Sequence, residues 1–117
     1  MNSEESARKK LEKMFGVPLP KRKVIIGYDS DGFPKLHEFD LVSKDSDILG
    51  EVKSCRINAT SFKGALNDCF YLSKVKARRK MLVLTNKDFY SYFKRKSDGL
   101  VTSDIEIILV KSKRADY

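Results

Sequence analysis

The chain has 117 residues, of which 41% are hydrophobic and 34% are charged, and it carries a formal net charge of +8 at pH 7. This composition predicts one globular domain, residues 1–117, with a sizeable core, and excludes a disordered chain. No apolar run reaches membrane-spanning length and the acidic start lacks signal-peptide features, so we expect an intracellular, cytoplasmic protein without a membrane partner. The positive charge favours a polyanionic partner. The single histidine, His37, argues against a zinc site and against Ser/His/Asp or Cys/His hydrolysis.

The first element is a helix predicted over residues 3–15, with Ser3 as its N-cap. Its apolar stripe consists of Ala7, Leu11, Met14 and Phe15. Glu4 falls on the same stripe, so it either points toward the core or is a first-turn acid favoured by the helix dipole. Gly16 and Pro18 end the helix. V-I-I-G-Y then predicts a short strand, and D-S-D-G-F-P predicts a turn.

The segment K-L-H-E-F-D-L-V-S-K-D-S-D-I-L-G-E-V-K-S, residues 35–54, predicts an antiparallel hairpin around a turn at residues 43–47. A turn centred between Asp45 and Ser46 sets Asp40 directly opposite Glu51 and Glu38 opposite Lys53. Side chains two apart share a strand face, so these four charged groups are expected to form one cluster. The apolar neighbours on that face are Leu36, Val42 and Leu49, which predicts at least partial burial.

The second half continues with a helix from the cap at residues 58–61 to about Arg79, and its predicted buried side is Phe62, Ala65, Leu66, Cys69, Phe70 and Leu72. M-L-V-L-T predicts a strand buried on both faces. A helix through Lys96 follows, with Phe89, Tyr92 and Phe93 inward, and I-E-I-I-L-V predicts the last strand. The tail 111–117 is expected to fray. The order α-β-β-β-α-β-α-β predicts an α/β fold with one mixed sheet and helices on its faces.

The charged cluster predicts a metal site. Like charges directly opposed on neighbouring strands repel, and a bound cation would remove the conflict between Asp40 and Glu51. Mg²⁺ binds carboxylates, keeps several waters and needs only one or two protein acids. Lys53 lies two residues beyond Glu51, where it would orient water or stabilise transition-state charge. Glu38 and Glu4 are candidate outer ligands. The alternative is an ordinary cross-strand ion pair between Glu38 and Lys53.

At these residues the chain resembles the PD-(D/E)xK nuclease superfamily, whose core runs α-β-β-β-α-β with a signature Asp and an E-x-K on adjacent strands. The resemblance implies a restriction-endonuclease-like core with an extra C-terminal helix and strand. It also implies Mg²⁺ or Mn²⁺ bound by Asp40, Glu51 and the backbone carbonyl of Val52. Lys53 would be the catalytic lysine, and Glu4 would be the helix glutamate that the family often adds. Phe39 stands where the signature has proline.

The function expected from this resemblance is metal-dependent hydrolysis of phosphodiester bonds in duplex or branched DNA. Endonuclease activity and a homodimer are what the resemblance implies, while the residues themselves leave endo or exo cutting and the oligomeric state open. Phosphate contacts are expected from Lys21, Arg22, Arg56, Lys63, Lys74, Lys76, Arg78 and Arg79. Tyr28 and Tyr71 are candidates for stacking on bases, although core packing is favoured for both. The alternative is a non-catalytic nucleic-acid-binding or assembly protein on the same fold. RNA is also open as a substrate, because the chemistry is shared.

Overall fold

The computed structural model describes residues 2–111. In chain order the elements are α1 (Ser3–Phe15), β1 (Arg22–Tyr28), β2 (Pro34–Phe39), β3 (Leu41–Val42), β4 (Ile48–Lys53), α2 (Ala59–Ser73), β5 (Arg79–Leu84), α3 (Lys87–Lys96) and β6 (Ile105–Leu109). The predicted helix and strand types are therefore confirmed, and the α/β class with a mixed sheet is confirmed with them. Within the described residues, no helix is long and apolar enough to cross a membrane.

Within the described residues, each of the three helices has an asparagine as its N-cap. The side chains of Asn2, Asn58 and Asn86 accept hydrogen bonds from backbone N–H groups three residues later, which satisfies donors that have no partner inside the helix. The N-cap of α1 is thus Asn2 and not the predicted Ser3. Gly16 ends α1 in the left-handed region, with φ of 71°.

The strands of residues 2–111 form two sheets, so the prediction of one single mixed sheet is wrong. β3, β4, β5 and β6 make a four-stranded mixed sheet in that order, in which β3 and β4 are antiparallel while β4, β5 and β6 are parallel. β1 and β2 form a separate antiparallel ribbon. Leu41 pairs with Gly50 and Val42 pairs with Leu49. The same register, continued by one position, sets Asp40 opposite Glu51, as predicted.

Helices cover both faces of the mixed sheet. One face carries α1, whose Ala7 and Leu11 pack with Met81 and Val83 of β5. The other face carries α2 and α3, against which the alternate β5 residues Leu82 and Leu84 pack. This alternation follows from the period of two along a strand. Leu49 packs on the α2 side, so Glu51 and Lys53 of the same strand face also point toward α2.

Further predictions about the elements are wrong. The first strand of the central hairpin is divided at Asp40, so β2 pairs with β1 and only β3 pairs with β4. Helix α2 ends at Ser73 and not near Arg79, and Arg79 is already the first residue of β5. Phe70 is 52% exposed although it was expected in the core. Of the predicted tail, residues 112–117 lie outside the described residues.

Candidate active site

Asp40 lies at the bend between β2 and β3. Its backbone groups bind side chains, and its side chain binds the backbone of β4. Its backbone N–H donates to Glu51 Oε1 at 3.0 Å, and its Oδ2 accepts from the N–H of Val52 at 2.8 Å. Its carbonyl accepts from the Arg8 guanidinium at 2.8 Å. These bonds fix the Asp40 side chain against β4. Burial raises the pKa of Asp40, although the hydrogen bond from Val52 acts in the opposite direction.

Glu51 is the most deeply buried acid of this group, with only 5% of the residue exposed. Burial first, and then the nearby Asp40 carboxylate, raise the pKa of Glu51 to about 8, although the hydrogen bond from the Asp40 N–H acts in the opposite direction. Its second oxygen, Oε2, lies 3.1 Å from His37 Nε2. The two acids are therefore held together at a strong electrostatic cost, which is the feature that the opposed register predicts.

His37 connects this acid pair to the aromatic residues around it. Its ring is stacked on Tyr71 of α2, with centroids 3.9 Å apart, and it meets the Phe39 ring edge-on at 4.7 Å. Both neighbours hold the imidazole in place, so that Nε2 faces the Glu51 carboxylate. The sequence analysis gave His37 no role at this site, because a strand histidine without a partner in sequence is a weak signal.

Glu4 of α1 is connected to Asp40 through Lys21. Lys21 Nζ lies 3.4 Å from Glu4 Oε2 and 3.6 Å from Asp40 Oδ1. Arg8 also binds Glu4, at 3.0 Å, and donates to the carbonyl of Leu19. Glu4 is thus oriented toward Asp40, which is the first of the two alternatives that the sequence left open. The nearby acids raise the pKa of Lys21, Glu4 most of all.

Lys53 is held by one turn of α2. Its Nζ lies 3.3 Å from Asp68 Oδ2. A Cβ atom built on Gly64, one turn earlier, would lie 3.1 Å from the same Nζ. Gly64 therefore leaves the space that the ammonium group occupies, while Asp68 supplies the counter-charge. Burial raises the pKa of Asp68, and the nearby Lys53 opposes that shift.

Glu38 does not join this cluster. It pairs with Lys23 of β1 and is exposed, so the predicted pairing of Glu38 with Lys53 is wrong. Leu36, expected on a buried face, is exposed as well. The cause is the division at Asp40, since residues before the bend follow β1 and residues after it follow β4. The structure thus brings together Glu4, Asp40, Glu51 and Lys53, while Glu38 is exposed and acts on this group only through the effect of its charge on Lys21.

The basic residues fall into two groups. Many have structural partners: Arg22 donates to the carbonyls of Ser43 and Lys44, Arg78 pairs with Asp47, Arg79 with Glu106, and the buried Lys80 with Asp104. The start of β5 lies beside Ile48, at the opposite end of β4 from Lys53. Arg56, Lys63 and Lys76 are exposed, and the first two lie near the Lys53 end of β4. Lys74 lies over the Phe70 ring, 4.7 Å from its centroid.

Asp68 had a signal in the sequence that the analysis did not use. It follows Ala65 by three residues and precedes Leu72 by four, so it lies on the buried stripe of α2. An acid on a buried stripe needs a partner, because an unpaired buried charge is costly. Lys21 was predicted only as a phosphate contact. In the structure the Val42 N–H donates to the carbonyl of Pro20, which places the next residue, Lys21, close to β3 and to Asp40.

Comparisons with protein-family models, with curated proteins and with solved structures found no match to this chain. Within residues 2–111, no set of three or more His, Cys, Asp or Glu side chains is arranged as a ready-made metal site. Any metal here would therefore rest on the two opposed carboxylates together with backbone or water oxygens.

Proposed function

We propose that this protein is a metal-dependent nuclease that hydrolyses phosphodiester bonds in DNA, on a core of the PD-(D/E)xK type. The observation that supports the proposal most is the opposition of Asp40 and Glu51, with Lys53 on the same strand face and held by α2. The order of elements is consistent with it: if β2 and β3 are counted as one bent strand, the chain up to β5 runs α-β-β-β-α-β.

The acid pair fits a divalent cation in its chemistry. One oxygen of each acid binds a backbone N–H, while the other lies beside a nitrogen of a side chain, Lys21 for Asp40 and His37 for Glu51. Both acids have raised pKa values, so a cation would stabilise the charged forms that burial disfavours. Asp40, Glu51 and the Val52 carbonyl would hold the metal. Mg²⁺ suits so small a set because it keeps several waters.

A divalent cation, when bound, stabilises negative charge on a phosphate and makes water a better nucleophile at neutral pH. Lys53 supplies a fixed positive charge beside the acid pair, where it stabilises the charge that develops on the phosphate. Asp68 and the space over Gly64 keep that ammonium in one position, which is the preorganisation that such stabilisation needs. Glu4 is a positioning residue that holds Lys21 next to Asp40.

A second candidate is a non-catalytic nucleic-acid-binding protein on the same fold. One observation favours it: within residues 2–111, every buried side-chain nitrogen and oxygen has a hydrogen-bond partner, so the acid pair is satisfied without a ligand. On that account Asp40→Asn leaves nucleic-acid binding unchanged, and Mn²⁺ does not alter thermal stability.

The test is cleavage of labelled substrates with and without Mn²⁺, using duplex, nicked, four-way-junction and single-stranded DNA, and RNA. Wild type is compared with Glu51→Gln, which keeps the shape of the side chain and removes its charge. The proposal expects metal-dependent cleavage of at least one DNA substrate that is lost in Glu51→Gln. Absence of cleavage, together with binding that weakens as salt rises, would favour the non-catalytic candidate.

A further inference from the structure

A cavity of about 500 Å³ lies between the β1–β2 ribbon and the C-terminal part of α2, directly behind His37. The ribbon contributes Tyr28 and Lys35, and α2 with its C-cap contributes Phe70, Tyr71 and Lys74. We name this the ribbon pocket. It combines aromatic rings with two lysines and contains no acidic side chain among its lining residues.

Two of its rings are more exposed than folding alone explains. Tyr28 is 66% exposed and Phe70 is 52% exposed, and they belong to different elements that face the same cavity. Single exposed apolar side chains are ordinary, whereas several that line one cavity mark a binding surface. Both findings correct the sequence analysis, which favoured core packing for Tyr28 and placed Phe70 on the buried side of α2.

The ribbon pocket is adjacent to the candidate active site. His37 lines the pocket and at the same time places Nε2 3.1 Å from Glu51 Oε2. The Tyr71 ring, stacked on His37, forms part of the same wall. One residue, His37, therefore both lines the ribbon pocket and contacts the acid pair.

We propose that the ribbon pocket binds the base of an unpaired nucleotide in a DNA strand whose backbone passes the Asp40–Glu51 pair. This inference rests on the proposed function and names its substrate class, DNA with an unpaired nucleotide beside the scissile bond. The face of a base is available to aromatic rings only when the base is unpaired, because in a duplex both faces are covered by neighbouring base pairs. Lys35 and Lys74 supply positive charge for the adjoining phosphates.

The aromatic rings and the lysines contribute differently. Stacking on an aromatic side chain is sequence-tolerant, because every base has a π-face. Lys74 lies over Phe70 in the absence of a ligand, so the ring already holds a cationic partner, which a bound base either displaces or sandwiches. The pocket therefore binds an unpaired base of any identity, and it distinguishes unpaired from paired nucleotides but not one base sequence from another.

The test is fluorescence titration of short single-stranded DNA that carries one 2-aminopurine, in EDTA so that cleavage does not occur. Wild type is expected to quench the probe, and Phe70→Ala and Tyr28→Ala are each expected to weaken binding by roughly 10-fold. Phe33→Ala is the matched control, because Phe33 is 66% exposed at the turn of the same ribbon but does not line the pocket. It should bind and quench like wild type.

Equal affinity of wild type, Phe70→Ala and Tyr28→Ala would overturn the inference, as would equal affinity of wild type for the matching duplex. Complete competition by inorganic polyphosphate with no quenching would also overturn it, since charge alone would then explain binding. None of these results touches the cleavage test with Glu51→Gln. Cleavage without quenching refutes only the ribbon pocket. Quenching without cleavage of any substrate refutes the nuclease, and with it the scissile bond beside the pocket, but leaves the ribbon pocket as a binding site for an unpaired base.

Discussion

At the scale of single residues, Glu51 determines how the protein responds to pH. Its carboxyl group holds its proton up to about pH 8 in the folded state, whereas in the unfolded chain it releases the proton near 4.5. Between these values the folded state binds more protons than the unfolded state, so the free energy of unfolding falls as pH rises. Burial also raises the pKa values of Asp40 and Asp68, which act in the same direction.

We therefore predict that, without divalent cations, the melting temperature decreases as pH is raised from 5 to 8, and that Glu51→Gln is more stable than wild type at pH 8. Thermal unfolding followed by circular dichroism measures both. Addition of Mn²⁺ should stabilise wild type more at pH 8 than at pH 6, because a metal competes with the proton for the same carboxylate. A wild-type melting temperature independent of pH over this range would contradict the burial of a titrating acid.

Asp68 offers a second test at the same scale. Asp68→Asn keeps the shape of the side chain but removes the charge that holds Lys53 at 3.3 Å. We predict a fall in the maximal cleavage rate of roughly 10-fold or more, with little change in the affinity for DNA, because the substitution disturbs the position of Lys53. Steady-state kinetics separate the two quantities. Asn67→Ala, on the neighbouring exposed position of α2, is the control and should retain the wild-type rate.

At the scale of elements, helix α2 contains a glycine where helix stability alone would prefer alanine. Gly64→Ala should raise helix propensity by about 1 kcal/mol. The added Cβ would lie 3.1 Å from Lys53 Nζ, so the flexible end of Lys53 must shift. We predict a variant whose stability is equal to or above that of wild type and whose cleavage rate is lower. A variant both more stable and fully active would contradict the role given to the position of Lys53.

The hairpin shows how far the sequence determines the elements. The alternation of apolar and polar residues and the turn at 43–47 were enough to predict that Asp40 faces Glu51. The division at Asp40 could not be predicted, because it depends on tertiary hydrogen bonds from Arg8 to its carbonyl and from its N–H to Glu51. The misplacement of Glu38 and Leu36 follows from that one bend, since a strand pattern does not reveal which partner strand each half will choose.

Helix α2 shows the same limit. Its start was predicted from its polar cap, while its end depends on where β5 must begin in the sheet. Phe70 was misplaced because it lies beside the β1–β2 ribbon, which the helix pattern does not show. The spacing places Asp68 on the buried stripe of α2, but it does not show that the partner of Asp68 is Lys53 of β4. The periodicity of apolar residues shows which face of a helix is buried, but it does not show which residues of other elements pack against that face.

At the scale of the whole molecule, the net charge of +8 overstates how many basic side chains are available to contact the phosphates of DNA. Several basic residues already have acidic or carbonyl partners within the protein. We predict that Arg56→Ala and Lys63→Ala each reduce the slope of log affinity against log salt concentration by about 0.7–0.9. Arg78→Ala, which removes a similarly exposed arginine paired with Asp47, should leave the slope unchanged. Anisotropy titrations over a range of salt concentrations measure these slopes, and equal slopes in all three variants would contradict the assignment of the phosphate contacts.

The central claim is that Asp40 and Glu51 hold a divalent cation for cleavage and that Lys53 acts beside it. The most direct measurement is the single-turnover cleavage rate as a function of Mn²⁺ concentration in wild type, Glu51→Gln and Lys53→Ala. The account predicts that Lys53→Ala keeps the half-saturating Mn²⁺ concentration and lowers the maximal rate, while Glu51→Gln loses saturation by Mn²⁺. A Glu51→Gln variant with the wild-type Mn²⁺ dependence would contradict it.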